Sequence, residues 1–521
     1  MRWWLLACVF LLACPSPDDD PAADDDDSAP GDDDDSGDDD DSASGDDDDS
    51  GDDDDSASGD DDDSADPCWD GTGAPTDLFD MAAIGDPATL DLQLIGTSTV
   101  TETIPWPPYV RTVEVREIRY TSWQWEDCER TPVRIEAFVA VPSDTVGSLD
   151  GLPGLVKAHG LGGNADAGAA STPAAELNAV VLAYSGPGQG NSEGWGSEPD
   201  HLFDTLPDPR DSWMYEHPVA ALRGLTVLES RIDEADPARL AMTGYSGGGV
   251  ATYLATGVDG RIGAALPSSA TGFMDLAIAA TPVPGWQLDL LQSMNPPRDA
   301  SSPEWAAYVQ WLDPQNYLAS ASAPTLIVNG AQDQFFPIHS TQATFAGVAA
   351  AQPASRLLTI VDFDHGPLAV TNSEAAGLAR DVGRYWFEHW LGGLAVYADE
   401  APQPAVLQVI PWLCPHACAH VTVSVGGTYP IDDVVFRWST TNGAGEGGLL
   451  WQSWNLQEQG SGLWTAEVGT LDASVWTASN TAWYAEASFS TGVLSLDPGF
   501  TLTSEPSIPP GFSPVLLEIP E

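Results

Sequence analysis

The chain has 521 residues and a formal net charge of −63 at pH 7, with 42% hydrophobic residues, and this length predicts two folded domains with additional segments. Of the acidic residues, 28 are aspartates between Asp18 and Asp66, and residues 67–521 still carry a net charge of −36. This charge disfavours nucleic acid and anionic lipid as partners.

The N-terminus has the features of a targeting segment. Arg2 precedes an apolar run from Trp3 to Ala13, which is too short to span a bilayer, since a spanning helix needs roughly 20 residues. The run ends in Leu11-Leu12-Ala13-Cys14, which resembles the lipobox of bacterial lipoproteins. The resemblance implies a signal peptide at 1–13 and a lipid on Cys14, with the protein lipid-anchored in the bacterial cell envelope or secreted. The alternative is an ordinary signal peptide in which Cys14 is incidental.

Residues 14–66 repeat the pattern Asp-Asp-Asp-Asp-Ser with Gly and Ala spacers, as in Gly31–Ser36. The segment lacks residues that can bury a core, so we expect a disordered, self-repelling tether. Weak calcium binding is the alternative, although the spacing is not that of a defined calcium loop.

Four cysteines follow the tether, and an even number in an exported chain indicates two disulfides. We predict the pairs Cys68–Cys128 and Cys414–Cys418, while other pairings of the four remain open. A metal held between Cys414 and His420 is the alternative to the short disulfide loop, and we predict no metal and no cofactor.

Strand and helix patterns alternate through the middle of the chain, after a strand-like run at Thr112–Tyr120. Apolar runs predict strands at Val133–Val141, Leu155–Ala158, Ala179–Tyr184, Arg239–Thr243, Ile262–Leu266, Pro324–Asn329 and Arg356–Val361. Helical spacing of apolar residues predicts helices at Ser212–Arg231, Val250–Thr256 and Glu374–Trp390. This alternation indicates an α/β domain at 67–400 with a mostly parallel sheet.

Two segments depart from the alternation. Residues 268–323 hold several tryptophans and prolines between two predicted core strands, and we expect them to form a cap insertion over the strand ends. From about Pro402, short runs such as Val434–Trp438 are separated by Gly, Asn and Asp turns. This pattern predicts a small antiparallel β-sandwich over residues 401–521.

The pattern Gly-x-Ser-x-Gly occurs twice, around Ser192 and around Ser246. A nucleophilic serine of this type stands on a sharp turn between a strand and a helix, and the flanking glycines let the two backbones pass closely. Arg239–Thr243 enters Ser246 as a strand and a helix follows it, whereas Ser192 lies eight residues beyond its strand. Ser246 is therefore the candidate nucleophile.

A serine hydroxyl needs a base to remove its proton, and the base is commonly a histidine held by a carboxylate. Asp333 and His365 each follow an apolar strand, which places both at the carboxyl edge of the sheet with Ser246. Asp362 and Asp364 are rival acids, but both are too close in sequence to reach the far side of the His365 ring easily. We interpret His217 and His389, on predicted helices, as packing residues.

An oxyanion formed in acyl transfer needs two hydrogen-bond donors. The backbone N–H of Gly247, at the start of its helix, is one candidate. The glycine-rich loop that follows the strand ending at Ala158 can supply the other, and Leu161 is the best placed. His159, which opens this loop, is interpreted as structural.

These residues together resemble the α/β-hydrolase superfamily over Val133–Leu391, and within it acetylxylan esterases, dienelactone hydrolases and prolyl-oligopeptidase-type hydrolases. The matching pieces are His159-Gly160, Gly186–Gly194, Gly244–Gly248, Asp313-Pro314 with Tyr317-Leu318, Asp333 and His365. Ser185 departs from the pattern, because these families often place Asp there. The region after Pro402 is similar to the tail of PhoPQ-activated pathogenicity-related proteins.

The resemblance implies an exported serine hydrolase, a carboxylesterase or deacetylase that forms an acyl-serine intermediate with a small-molecule or carbohydrate ester. A secreted peptidase of prolyl-oligopeptidase type is one alternative, although the chain lacks room for a preceding β-propeller. A non-catalytic surface protein that binds glycan or protein is another, because tryptophans in the C-terminal region can stack on sugars. These are Trp451, Trp454 and Trp464, for which we favour core packing.

Overall fold

The computed structural model describes most of the chain from Cys68 to Thr503. The described ranges are 68–105, 108–143, 151–279, 286–361, 363, 365, 373–392, 408–413, 419–424, 431–440, 452–460, 463–468, 481–489 and 500–503. The predicted signal peptide, the lipidation at Cys14, the tether, the pair Cys414–Cys418 and the rival acids Asp362 and Asp364 lie outside the described residues.

A nine-stranded sheet forms the centre of the fold. Its strands are β1 (Gln93–Pro105), β2 (Pro108–Glu126), β3 (Glu129–Pro142), β4 (Leu152–Ala158), β5 (Val180–Tyr184), β6 (Ala235–Tyr245), β7 (Ile262–Ser268), β8 (Leu326–Gly330) and β9 (Arg356–Ile360), in the order β1-β2-β3-β5-β4-β6-β7-β8-β9. The six neighbouring strands β5-β4-β6-β7-β8-β9 pair in parallel. At the other end of the sheet, the pairs β1–β2, β2–β3 and β3–β5 are antiparallel. The predicted α/β-hydrolase fold is confirmed.

Ten α-helices accompany these strands in the described part of the chain. They are α1 (Met81–Ile84), α2 (Ala167–Leu177), α3 (Pro199–Leu202), α4 (Trp213–Arg231), α5 (Gly247–Val258), α6 (Met274–Ile278), α7 (Trp286–Ser293), α8 (Pro303–Trp311), α9 (Ile338–Ala351) and α10 (Ser373–Leu391). Helix α4 starts where the Ser212 hydroxyl accepts a hydrogen bond from the Met214 N–H, which satisfies one free amide of the first turn. The segment predicted as a cap contributes α6, α7 and α8 between β7 and β8.

Alternate residues of the central strands enter two buried clusters, one on each face of the sheet. In β5, Val180, Leu182 and Tyr184 belong to one cluster, and Val181 and Ala183 belong to the other. All five are buried because helices cover both faces, which explains why this strand is continuously apolar rather than alternating.

The C-terminal region contains two four-stranded antiparallel sheets. Their strands are β10 (Gln408–Leu413), β11 (Ala419–Ser424), β12 (Ile431–Thr440), β13 (Gln452–Asn455), β14 (Gln457–Gly460), β15 (Leu463–Val468), β16 (Thr481–Phe489) and β17 (Phe500–Thr503), in the orders β10-β11-β15-β14 and β13-β12-β16-β17. Trp464 is buried in one cluster with Phe436 of the other sheet, so it packs in a core. The Thr503 hydroxyl accepts a hydrogen bond from the Thr359 N–H, which joins β17 to β9.

A disulfide joins Cys68 to Cys128, with their Cα atoms 4.7 Å apart. Cys128 lies at the turn between β2 and β3. The N–H of Trp69, which directly follows Cys68, donates to the buried Asp208 carboxylate. The bond therefore fastens the start of the described chain to the edge of the α/β domain. Among the described helices, none combines the length and apolar character needed to cross a bilayer.

We expect the double substitution Cys68→Ser/Cys128→Ser to lower the free energy of unfolding by about 2–4 kcal/mol, because the bond closes a loop of 60 residues. The measurement is urea denaturation of the full chain, with the parent protein in dithiothreitol as the matched reduced control. Equal urea midpoints for the oxidised parent and the double variant would contradict a stabilising role.

Candidate active site

Ser246 lies on the sharp turn between β6 and α5, with backbone angles φ 57° and ψ −120°. A side chain in this region of backbone space is strained, and such strain is commonly retained at functional sites. Glycine is required on both sides by close backbone contacts. A Cβ on Gly244 would lie 2.1 Å from the Gly248 carbonyl oxygen, and one on Gly248 would lie 2.4 Å from the Ala158 carbonyl oxygen.

The fold brings Ser246, His365 and Asp333 into one hydrogen-bonded row. The Nε2 of His365 lies 2.8 Å from the Ser246 Oγ, and its Nδ1 lies 3.1 Å from the nearer Asp333 carboxylate oxygen. Their exposed fractions are 8% for Ser246, 8% for His365 and 2% for Asp333. The three side chains are therefore largely shielded from water. Hydrogen bonds to charged groups are stronger in such a shielded place than in solvent.

The Asp333 carboxylate is held in place by the backbone that follows it. Its Oδ1 accepts hydrogen bonds from the N–H groups of Phe335 at 2.8 Å and Phe336 at 2.9 Å. Since the loop after β8 supplies both donors, the carboxylate cannot rotate freely, and it keeps its oxygens towards the His365 ring.

Two aromatic residues that sequence reasoning did not select hold His365. The Phe335 ring meets the His365 ring edge-on, with centroids 4.3 Å apart. The Tyr245 hydroxyl donates a hydrogen bond to the His365 backbone carbonyl. In the sequence, only the positions of these two residues could have indicated their role. Tyr245 directly precedes Ser246, and Phe335 follows Asp333 by two residues.

The structure places Ser192, the serine of the other Gly-x-Ser-x-Gly pattern, in a backbone-binding role. Its hydroxyl donates to the Ser185 carbonyl at 2.8 Å and accepts from the Glu136 N–H at 2.9 Å. His217 is stacked on Trp213 with ring centroids 4.3 Å apart, inside the core. Both side chains hold the fold around the site rather than completing the row of Ser246, His365 and Asp333.

Two backbone amides lie close together beside Ser246. Gly247 is the first residue of α5, and the Leu161 nitrogen lies 3.3 Å from where a Gly247 Cβ would be. Within the described ranges, neither N–H has a hydrogen-bond acceptor. The Ser246 N–H itself is occupied, since it donates to the Ser268 carbonyl at 3.0 Å. Of the three amides, those of Leu161 and Gly247 therefore remain without an acceptor among the described residues.

His159 holds the start of the loop that carries Leu161. Its Nδ1–H donates to the Gly160 carbonyl at 2.6 Å, and its Nε2 accepts from the Gly186 N–H at 2.8 Å. Desolvation by the surrounding rings lowers the pKa of His159 to about 4. The imidazole is therefore neutral at neutral pH, as its acceptor role requires.

Three or more His, Cys, Asp or Glu side chains arranged to hold a metal ion do not occur within the described residues. The chemistry available at this site is that of a buried serine, an imidazole, a carboxylate and two backbone amides.

Comparison with known proteins gives one family match. The profile of the PhoPQ-activated pathogenicity-related protein family matches residues 204–375, about a third of the chain, which include Ser246, Asp333 and His365. The match does not extend to the region after Pro402. No curated protein is similar in sequence to this chain at a significant level.

Solved structures with a similar fold include two acetyl xylan esterases and a peptidase. The acetyl xylan esterase from Paenibacillus sp. R4 is 20% identical, with 59% of this chain and 93% of that chain covered, at a TM-score of 0.44. Acetyl xylan esterase 1 from Thermoanaerobacterium sp. is 16% identical over 60% and 95% of the two chains, at 0.40. The Pyrococcus horikoshii acylaminoacyl peptidase is 13% identical over 54% and 48%, at 0.41.

We expect Gly244→Ala to impair folding, because its Cβ would overlap the Gly248 carbonyl oxygen and the backbone at this turn cannot move without displacing α5. Soluble yield and melting temperature measure the effect. Gly260→Ala is the matched control, since a Cβ there meets nothing within 4 Å. Equal melting temperatures for the two variants would show that the turn is not tightly packed.

The lowered pKa of His159 predicts a pH-dependent stability. Between about pH 6.5 and pH 4 the unfolded chain binds a proton at this residue and the folded chain does not, so its contribution to stability falls as the pH falls. We expect the difference in free energy of unfolding between the parent and His159→Gln, measured by urea denaturation, to shrink as the pH is lowered from 6.5 to about 4. A constant difference between the two proteins would contradict the prediction.

Proposed function

We propose that this chain is a serine hydrolase of the carboxylesterase or deacetylase type, with Ser246 as nucleophile, His365 as base and Asp333 as the orienting acid. The single observation that carries the proposal is the 2.8 Å approach of His365 Nε2 to Ser246 Oγ, with Asp333 on the opposite side of the ring. A base at this distance can remove the serine proton as the hydroxyl attacks.

In the proposed reaction the Ser246 oxygen attacks the ester carbonyl carbon, and His365 Nε2 takes the hydroxyl proton. The carbonyl oxygen becomes an oxyanion that accepts hydrogen bonds from the Leu161 and Gly247 amides. When the intermediate collapses, the ester C–O bond breaks and His365 returns the proton to the leaving alcohol.

The acyl-Ser246 intermediate is then hydrolysed by water. His365 takes a proton from the water as its oxygen attacks the acyl carbon, and returns that proton to the Ser246 oxygen as the acid leaves. Asp333 keeps its charge throughout, holds Nδ1–H and stabilises the imidazolium that forms in each half-reaction.

The proposed substrate is a small-molecule or carbohydrate ester, on the sequence resemblance to acetylxylan esterases and dienelactone hydrolases. We further propose that the enzyme acts in the bacterial cell envelope, anchored through a lipid on Cys14, or after secretion. The Cys68–Cys128 disulfide supports an oxidising compartment, since such bonds are rare in reducing cytoplasm.

The proposed function predicts that the parent protein reacts with a fluorophosphonate probe and hydrolyses p-nitrophenyl acetate. Ser246→Ala should abolish labelling and lower kcat by about 10⁴-fold or more, because the nucleophile is removed. Ser192→Ala, in the other Gly-x-Ser-x-Gly pattern, is the matched control and should keep its labelling, with circular dichroism confirming that both variants fold.

Persistent labelling of Ser246→Ala would contradict the assigned nucleophile, and a folded parent that neither labels nor hydrolyses esters would contradict an esterase. Cleavage of an aminoacyl-nitroanilide with no preference for esters would instead favour a peptidase.

A further inference from the structure

Ser197 lies in the connection between β5 and α4, two residues before Pro199, where the short helix α3 begins. Its hydroxyl oxygen accepts a hydrogen bond from the Gly162 N–H at 3.1 Å and a second from the side-chain amide of Gln189, also at 3.1 Å. The side chain is half-buried. Ser197 therefore bridges two loops that are far apart in sequence.

The bond to Gly162 is significant because Gly162 directly follows Leu161, one of the two amides assigned to the oxyanion. Gly162 has φ +67°, in the left-handed region, and lies in a loop outside any helix or strand. Before Leu161, the loop is held by the His159 ring, through Gly160 and Gly186. After Leu161, the Ser197 hydroxyl is the first side chain to bind the loop backbone.

The segment that carries Ser197 is itself anchored on its other side. The carboxylate of Asp200 accepts a hydrogen bond from the Asn295 N–H at 2.6 Å, in the insertion between β7 and β8. The Trp195 N–H donates to the Gln124 side-chain oxygen at 3.1 Å. Ser197 is thus presented to Gly162 from a segment that is fixed independently of the loop.

We propose that Ser197 is a positioning residue that fixes the Leu161 N–H in the geometry needed to bind the oxyanion. This inference rests on the proposed function, because it concerns the same site. The Leu161 N–H shares its peptide plane with the Gly160 carbonyl, which the His159 Nδ1–H binds, while the Ser197 hydroxyl binds the next plane through the Gly162 N–H. Loss of the hydroxyl releases this second plane, so Leu161 is then held on one side only and its N–H can move away from the oxyanion position. Interactions made in the transition state then weaken more than those made with bound substrate.

The test is Ser197→Ala in the full chain, with p-nitrophenyl acetate as substrate and a trifluoromethyl ketone as inhibitor. The ketone forms a hemiketal with the nucleophilic serine, and its oxygen occupies the oxyanion position. Removal of a whole oxyanion donor lowers kcat by about 10²–10³-fold, so we expect a smaller fall of about 10-fold from a misplaced donor. KM should stay within about twofold and ketone affinity should fall in parallel with kcat.

Ser192→Ala is the matched control, because its hydroxyl also binds backbone in the same connection but does not contact the Leu161 loop. Ser197→Thr keeps the hydroxyl and should restore most of the activity. Hydrogen–deuterium exchange across residues 159–165 should be faster in Ser197→Ala than in the parent.

Values of kcat and ketone affinity in Ser197→Ala within twofold of the parent would overturn the inference while leaving the proposed function intact. The inference would also be overturned if Ser192→Ala lost as much kcat and melting temperature as Ser197→Ala, because general destabilisation would then explain the effect. An inactive, unlabelled parent would instead overturn the proposed function. In that case unchanged exchange in Ser197→Ala would overturn the positioning role on its own.

Discussion

The close passage of backbone at the turn between β6 and α5 is the constraint on which the rest of the site depends. Gly244 lets β6 pass close to the start of α5, and Gly248 lets α5 pass close to the end of β4, so that no side chain fits at either position. The turn holds Ser246 in a strained conformation and puts the Gly247 amide beside it. The parallel sheet supports this strain, since β6 lies between β4 and β7 and pairs with both of them.

The site is assembled from loops that follow several parallel strands, and each loop is held by its own hydrogen bonds. The loop after β4 is fixed by a neutral imidazole, His159, whose ring bridges Gly160 and Gly186. The loop after β8 is fixed by the Asp333 carboxylate, which binds two amides of its own backbone. The bonds of His159 and Asp333 fix the loops that carry the Leu161 amide and the acid of the row.

Much of this arrangement could be predicted from the sequence, and the exceptions have physical reasons. The strand that enters Ser246 and the helix that follows it distinguish that serine from Ser192, because both neighbours are readable as local patterns. Helices α2 and α9 were not predicted, since their many small residues give no distinct apolar stripe. Strand β1 was missed because it lies at the sheet edge, where several of its side chains are exposed.

The sequence by itself determined the fold class, the candidate nucleophile and the chain order Ser246, Asp333, His365, because local patterning and glycine placement encode strands, helices and sharp turns. Only the tertiary structure decided which groups touch. The edge-on contact of Phe335 with His365, the Tyr245 bond to the His365 carbonyl and the Ser197 bond to Gly162 join residues on different loops. Such contacts depend on strand order and on the path of each loop, which no periodicity in a single segment records.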